Sequence, residues 1–202
     1  MASGRIFVVD DEPAVLTALE RMLRASGHEV STFSSPSAFL EAAPRDGVEC
    51  VLLDLSMPEM SGLEVQGAMR RKGIVMPVIF LSAHGDVRSA TRAMREGAID
   101  FLVKPIAEAE LLGAIGRALD ASSAEELRRS SRSEVEQRVA RLTPRERQVC
   151  ARVIKGMLNK EIGAELGMTE KTVKVHRGQV MRKLEAKSLA ALVRLLADFS
   201  DL

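Results

Sequence analysis

The apolar stretch that ends at Asp54 constrains the fold of this chain more than any other. Residues 51–53 read Val-Leu-Leu without polar alternation, and Pro58 and Gly62 mark a loop beyond them. A short, unbroken apolar run of this kind fits a strand that is buried on both faces. Asp54 is therefore expected at the carboxyl end of a strand, where parallel sheets bind their ligands.

Further apolar runs recur along the first half, with helical spacing of apolar residues between them. The predicted strands are residues 5–9, 29–33, 51–54, 77–81 and 100–103. The predicted helices follow them and include residues 62–71 and 87–95. Strands that alternate with helices in this way predict an α/β fold with a five-stranded, doubly wound parallel sheet.

Polar residues end these strands, and right-handed crossovers bring the strand ends to one edge of the sheet. The residues concerned are Asp10, Asp11, Asp54, Ser82 and Lys104. Single strand-end aspartates are usually turn formers or helix caps, but that explanation does not cover all five. Clustered carboxylates repel one another unless a cation joins them, and their oxygens suit Mg²⁺. Asp54 could then act as a nucleophile toward a phosphoryl group, with Lys104 supplying charge and Ser82 a hydroxyl donor.

Composition limits the remaining possibilities. The chain of 202 residues has room for two small domains, and it has no apolar run long enough to cross a membrane. Without a secretion signal, and with Cys50 and Cys150 isolated and expected to be buried thiols, a cytoplasmic protein is predicted. Residues 1–120 carry 12 Lys and Arg against 17 Asp and Glu, whereas residues 121–202 carry 17 against 11. The basic second half suggests an anionic partner.

A Ser-rich, charged segment separates the two halves. We assign residues 1–120 to the first domain, 121–141 to a linker and 142–202 to the second domain. The linker can be an extension of the preceding helix or a mobile tether, and its lack of Gly and Pro favours the helix.

The second half has the pattern of a helix-turn-helix domain. Its predicted helices are residues 144–156, 159–166, 169–184 and 189–196. Thr143, Asn159 and Ser188 are the predicted N-caps, and a turn containing Gly167 separates the second helix from the third.

The third of these helices has two distinct faces at 100° per residue. The predicted buried stripe is Val173, Val180 and Leu184, and the predicted outward face is Lys171, Lys174, Val175, Gly178 and Arg182. Such a face can enter a DNA major groove, although a solvated basic face is the commoner explanation for an isolated helix. Arg177 lies nearer the buried stripe, which favours a phosphate contact.

The motifs VVDDE, LLDLSMPEMSG, FLSAHG and DFLVKP resemble those of CheY-like receiver domains of two-component response regulators. The resemblance implies that Asp54 accepts phosphate from a phosphohistidine on a sensor histidine kinase. It also implies that Asp11, Asp54 and the Ser56 carbonyl bind Mg²⁺ directly and that Asp10 binds it through water. Ser82 and Phe101 correspond to the switch positions.

The motifs LTPRERQV, NKEIGAELGM, TEKTVKVHRGQVMRKL and SLAALV resemble LuxR-type DNA-binding domains, so the whole chain resembles the FixJ/NarL class. The resemblance implies that Lys174 and Val175 face bases and that His176 and Arg177 lie near phosphates. Gly178 is a departure, since some relatives carry Lys there. The implied DNA contacts are Lys171, Thr172, Lys174, Val175, His176, Arg177 and Arg182. The resemblance further implies that the protein forms a homodimer when it is phosphorylated and that it acts with RNA polymerase.

The expected function is therefore a phosphorylation-dependent transcription regulator that is not an enzyme beyond slow autodephosphorylation. One alternative is a DNA-binding regulator that works without phosphorylation and uses the receiver as a dimerisation module. A Mg²⁺-dependent phosphatase is a third possibility. Against it, Ser56 stands two residues after Asp54, where such an enzyme would carry a second Asp.

Overall fold

The computed structural model describes residues 4–42, 47–83, 85, 87–197 and 199. The chain divides into two compact units, Met1–Leu127 and Arg128–Leu202. One helix, Glu108–Ala140, runs through the segment for which the sequence left a helix and a tether open. The domain limits at residues 120 and 141 stay a prediction: residue 120 lies within this helix, and the helix ends at Ala140.

The first unit is built on a parallel sheet, and the described residues of this unit contribute five strands to it. They are β1 (Arg5–Val9), β2 (Glu29–Phe33), β3 (Glu49–Asp54), β4 (Val78–Ser82) and β5 (Asp100–Val103). The strand order is β2-β1-β3-β4-β5, and every neighbouring pair is parallel. The predicted doubly wound α/β sheet is confirmed.

Helices cover both faces of this sheet. They are α1 (Pro13–Ala25), α2 (Pro36–Ala42), α3 (Gly62–Arg71), α4 (Val87–Arg95) and α5 (Glu108–Ala140). Alternate residues of β3 point to opposite sides, so Val51 and Leu53 pack in one core and Leu52 in the other. Because both faces are covered, all six residues of β3 are buried, as its unbroken apolar run predicts.

The limits of two strands differ from the sequence-based prediction. β3 begins at Glu49 rather than at residue 51, and β4 covers Val78–Ser82 rather than residues 77–81. Pro77 has no N–H to donate to the ladder, and only its carbonyl takes part, accepting from the Val51 amide at 3.0 Å. Ser82 is the last residue of β4, where it pairs with Val103 of β5.

The second unit is helical. Its remaining helices are α6 (Pro144–Val153), α7 (Asn159–Leu166), α8 (Glu170–Lys183) and α9 (Leu189–Leu195). Thr143 and Ser188 accept hydrogen bonds from the backbone at the starts of α6 and α9, so both predicted caps are confirmed. The left-handed Gly167 ends α7, as the helix-turn-helix pattern requires.

Two predictions about the first two helices of this unit were wrong, and the predicted limits of α8 and α9 differ from the observed ones by at most one residue at each end. The first helix ends at Val153 rather than at residue 156, because the chain reverses through Gly156, whose φ is +82°. Asn159 is the first residue of α7 and does not cap it. The N-cap is Leu158, whose amide donates to the Glu161 carboxylate at 2.7 Å.

The apolar residues of the second unit form one core, to which Val173, Val180 and Leu184 contribute as predicted. Cys50 and Cys150 are both free and buried, also as predicted. Burial raises the pKa of the Cys50 thiol to about 12 and that of Cys150 to about 11, so both remain protonated at neutral pH. Within the described ranges, no helix is both long and apolar enough to cross a membrane.

Two glycines of α3 give a matched test of packing beside β3. A Cβ on Gly62 would lie 2.5 Å from the Asp54 carbonyl oxygen and 2.9 Å from a ring carbon of Phe80. We expect Gly62→Ala to lower the free energy of unfolding by about 1–3 kcal/mol or more, measured by urea denaturation.

Gly67→Ala is the control, since its Cβ would meet only the end of the Arg71 side chain at 3.4 Å. Alanine is the better helix former, so this variant should gain roughly 0.5–1 kcal/mol. Equal effects of the two substitutions would contradict the close approach of α3 to β3.

Candidate functional site

Three charged side chains meet at the carboxyl edge of the sheet. Asp10 follows β1, Asp54 ends β3 and Lys104 follows β5. The Lys104 Nζ lies 2.7 Å from Asp10 Oδ2 and 2.7 Å from Asp54 Oδ1. Asp10 is 0% exposed and Asp54 is 6% exposed. One partly buried ammonium thus joins two buried carboxylates that are distant in sequence.

Backbone amides fix the other oxygen of each carboxylate. The Glu12 amide donates to Asp10 Oδ1 at 2.9 Å, and the Ser56 amide donates to Asp54 Oδ2 at 2.7 Å. Both aspartates are therefore held in one orientation by a cation on one side and by their own following loop on the other. The three charges sum to −1, which leaves the edge attractive to a further cation.

The environment of Lys104 keeps its side chain charged. Partial burial by itself lowers the pKa of this amine, but the hydrogen bonds to Asp10 and Asp54 and the charges of both carboxylates outweigh it. The pKa of Lys104 is raised above its ordinary value as a result. Lys104 is therefore a charged ammonium at neutral pH.

The other residues predicted for this edge are Asp11, Ser56, Ser82 and Phe101. Asp11 and Ser56 are exposed. Ser82 is buried at the end of β4, and its carbonyl accepts from the Lys104 amide at 2.8 Å. Phe101 is half-buried, and its ring centroid is 6.4 Å from that of Phe80 on the neighbouring strand.

This edge offers few acidic side chains as metal ligands. No group of three or more His, Cys, Asp or Glu side chains that could hold a metal ion occurs within the described part of the chain. Mg²⁺ does not require one, because it commonly binds one or two carboxylates and completes its shell with water and phosphate oxygens. Asp54 and the exposed Asp11, together with the Ser56 carbonyl, therefore provide suitable chemistry for Mg²⁺.

The second candidate site is the outward surface of α8, which we call the basic face. It consists of Lys171, Lys174, Val175, Gly178 and Arg182, all of which are exposed. Val173 and Val180 lie buried on the opposite side, so the predicted division of this helix into two faces is confirmed. Thr172 is exposed beside the basic face, and its hydroxyl lies 2.8 Å from that of the N-cap Thr169.

The half-buried Arg177 connects α8 with α7. Its Nη1 donates to Asn159 Oδ1 at 3.2 Å. The neighbouring His176 is also half-buried. Neither residue belongs to the exposed basic face, which agrees with the angle calculated for Arg177 from the sequence. Asn159 as the partner of Arg177 was missed, because no local signal relates residues on different helices.

An ion pair connects the end of α8 with the start of α6. Glu146 is 2% exposed, and its Oε2 accepts from Lys183 Nζ at 2.6 Å and from the Thr143 amide at 2.7 Å. Burial by itself raises the pKa of Glu146, but the bonds from Lys183 and Thr143 outweigh it and hold the pKa below the ordinary value. The sequence identified Thr143 as the N-cap of α6, but the ion pair between Glu146 and Lys183 was missed.

Gly178 is the one residue of the basic face without a side chain. A Cβ built on it would meet nothing within 4 Å. Glycine within an exposed helix costs roughly 0.8–1.0 kcal/mol relative to alanine. Packing within the protein offers no compensation for that cost at this position.

Two family models match the chain in succession. Residues 6–116 match the response regulator receiver domain, and residues 140–196 match the bacterial regulatory proteins of the luxR family. The response regulator TodT of Pseudomonas putida is 43% identical over 97% of this chain and 86% of its own length. The regulatory protein FixJ of Azorhizobium caulinodans is 40% identical over 94% of this chain and 90% of its own length.

Solved structures agree with these matches. The response regulator StyR has a TM-score of 0.85 and 42% identity, and the alignment covers 98% of this chain and all of StyR. Full-length FixJ from B. japonicum has a TM-score of 0.59 and 36% identity over 98% of this chain and 97% of its own. The chain belongs to the two-component response regulators of the FixJ/NarL class.

Membership of this class explains the pairing of the two units. The regulator combines a receiver with a LuxR-type DNA-binding domain, which is the domain pair of two-component transcription regulation. The family implies two macromolecular partners, a histidine kinase and DNA.

The pair of Glu146 and Lys183 makes the stability of the regulator's second unit dependent on pH. The lowered pKa of Glu146 means that its contribution is complete above the ordinary value of 4.5 and is lost as the pH falls through the folded-state pKa. Glu146→Gln should lower the free energy of unfolding of the second unit by about 2 kcal/mol at pH 7. The difference in this free energy between the variant and the unmodified regulator should become smaller below about pH 4.5.

Thermal unfolding of the second unit in the full chain, at pH 7 and at acid pH, measures this effect. Glu161→Gln is the matched control, because Glu161 also accepts a bond from an N-cap amide but is exposed. A gap between Glu146→Gln and the unmodified regulator that stays constant with pH would contradict the assignment.

Proposed function

We propose that Asp54 is the phosphoacceptor of this response regulator and that phosphorylation controls its binding to DNA. The observation that carries the proposal is the Lys104 ammonium, 2.7 Å from both Asp10 and Asp54. This cation stands next to the carboxylate that would gain a doubly negative group. Phosphoryl transfer depends mainly on such positioning and charge neutralisation.

In the proposed reaction, a carboxylate oxygen of Asp54 attacks the phosphorus of a phosphohistidine on the kinase. An oxygen–phosphorus bond forms and the nitrogen–phosphorus bond breaks, and the electron pair returns to the imidazole nitrogen, which takes a proton. Lys104 and the Ser82 hydroxyl then contact phosphoryl oxygens. The amide of Ser56, already bound to Asp54 at 2.7 Å, keeps the carboxylate oriented throughout.

Mg²⁺ is the proposed cofactor. Asp11, Asp54 and the Ser56 carbonyl would hold it directly, and Asp10 would hold it through water. The bound ion would supply positive charge to the transferring phosphoryl oxygens. The net charge of −1 among Asp10, Asp54 and Lys104 supports this assignment, because a single ammonium does not neutralise the two buried carboxylates.

The proposed switch couples this edge to the surface of α4 and β5. Ser82 follows the phosphoryl group inward, and the half-buried Phe101 rotates into the space that it leaves. Phe101 lies on β5 opposite Phe80, so its rotation changes the exposed surface of that strand. A surface altered in this way promotes a homodimer or frees the second unit for DNA.

We further propose that α8 lies in the major groove of promoter DNA. Lys174 and Val175 contact bases, while His176 and Arg177 approach phosphates. Lys171, Thr172 and Arg182 complete the interface. The exposure of the basic face supports this arrangement. A regulator of this kind works in the cytoplasm, acts with RNA polymerase and carries out no catalytic turnover beyond slow loss of its own phosphate.

The phosphoacceptor can be tested with a radiolabelled phosphodonor in the presence of Mg²⁺. Asp54→Asn should abolish labelling, because the amide keeps the shape of the carboxylate but is a very poor nucleophile. Glu59→Gln is the control, since Glu59 is an exposed acid of the same loop. It should label normally. Full labelling of Asp54→Asn would overturn the assignment.

The DNA interface can be tested with sequences selected from a random duplex pool. Lys174→Ala should relax the selected sequence and cost about 1–3 kcal/mol on the preferred site. Arg177→Ala should weaken binding to all sequences alike. The slope of log affinity against log salt concentration should fall in magnitude by about one, which corresponds to the loss of one phosphate contact. Arg145→Ala removes an exposed charge from α6 and should change neither. Unaltered binding by both α8 variants would remove α8 from the interface.

A further inference from the structure

We propose that Gly178 leaves a gap in the basic face of α8 and that this gap receives the 5-methyl group of a thymine in the major groove. The inference rests on the proposed DNA-binding function of α8 and adds to it one specificity-determining residue. The gap is the space that a side chain would occupy at the centre of the basic face.

The structure gives other glycines of the same unit an internal reason. A Cβ on Gly163 would lie 2.6 Å from the Met168 carbonyl oxygen, and Gly167 has a left-handed φ of +66°. Gly178 has neither constraint, because a Cβ there would meet nothing within 4 Å and its φ lies outside the left-handed region. Nothing inside the folded domain therefore requires a glycine at position 178.

The neighbours of Gly178 on the basic face point to a ligand outside the protein. Residues three or four positions apart are adjacent on a helix, so Lys174, Val175 and Arg182 all border the gap. Val175 is 54% exposed, although it is apolar. The gap is thus open space bordered by one apolar neighbour, Val175, with a cation one turn away in either direction along the helix axis.

The gap itself contains no side chain that can form a hydrogen bond, so it suits a small apolar group better than a phosphate or a polar base edge. The major groove offers one such group, the C5-methyl of thymine. Glycine also allows the helix backbone to approach its ligand more closely than any other residue does. Lys174 and Arg182 would meanwhile be directed to neighbouring base edges or phosphates, which fixes α8 along the groove.

The test uses the 202-residue chain, treated with a small phosphodonor, and a duplex that it selects from a random pool. Each thymine is replaced singly by deoxyuridine, which removes only the methyl group. We expect one position in a half-site to lose affinity about fourfold, the loss that corresponds to one buried methylene, about 0.8 kcal/mol. Equal affinity for every substituted duplex would overturn the proposal.

Filling the gap provides the second arm. At the sensitive position, the preference for thymine over deoxyuridine should fall in Gly178→Ala and reach about one in Gly178→Leu. Gly178→Ala should also raise the unfolding midpoint of the second unit by roughly 4–8 °C, which separates lost recognition from lost folding.

Gly116→Ala is the matched control, because a Cβ on this glycine of α5 also meets nothing within 4 Å. It should leave the thymine preference unchanged. A full thymine preference in Gly178→Leu would exclude the gap as the methyl site. A regulator that enriches no sequence from the pool would instead overturn the DNA-binding role of α8, and this inference with it.

Discussion

The ammonium of Lys104, shared between Asp10 and Asp54, is the interaction on which the receiver's site depends. The sheet order places β4 between β5 and β3, so a side chain that follows β5 must cross a neighbouring strand to reach Asp54 and another to reach Asp10. Strands lie about 4.8 Å apart, so β5 is roughly 10 Å from β3 and roughly 14 Å from β1, and the long lysine side chain covers part of that distance. One cation thereby fixes the relative positions of three loops.

The second unit uses ion pairs and hydrogen bonds between helices for a similar purpose. Glu146 and Lys183 tie the start of α6 to the end of α8, and Asn159 and Arg177 tie α7 to the middle of α8. The direction in which α8 presents its basic face therefore depends on polar contacts as well as on the apolar core. Removing Lys183 would leave the buried Glu146 carboxylate without its cation, which is destabilising.

Local patterns predicted most elements of this regulator because local forces decide them. The limits of β2, α3, α4 and β5 agree with the sequence, since Gly, Pro and capping residues act within one turn or one strand end. The errors at Pro77, Gly156 and Asn159 are equally local. Pro77 has no N–H to donate, and Gly156 adopts a positive φ. The start of α7 is capped by the carboxylate of Glu161, which lies further along the chain.

The sequence by itself determined the parallel sheet, the edge at which its polar residues gather, and the two faces of α8. Apolar periodicity and strand-end residues encode these features directly. Only the tertiary structure decided that Lys104 joins Asp10 to Asp54 while Asp11 stays exposed, that Lys183 binds Glu146, and that nothing fills the space beside Gly178. Such pairings depend on the distance between atoms far apart in the chain, and no repeat or motif carries that distance.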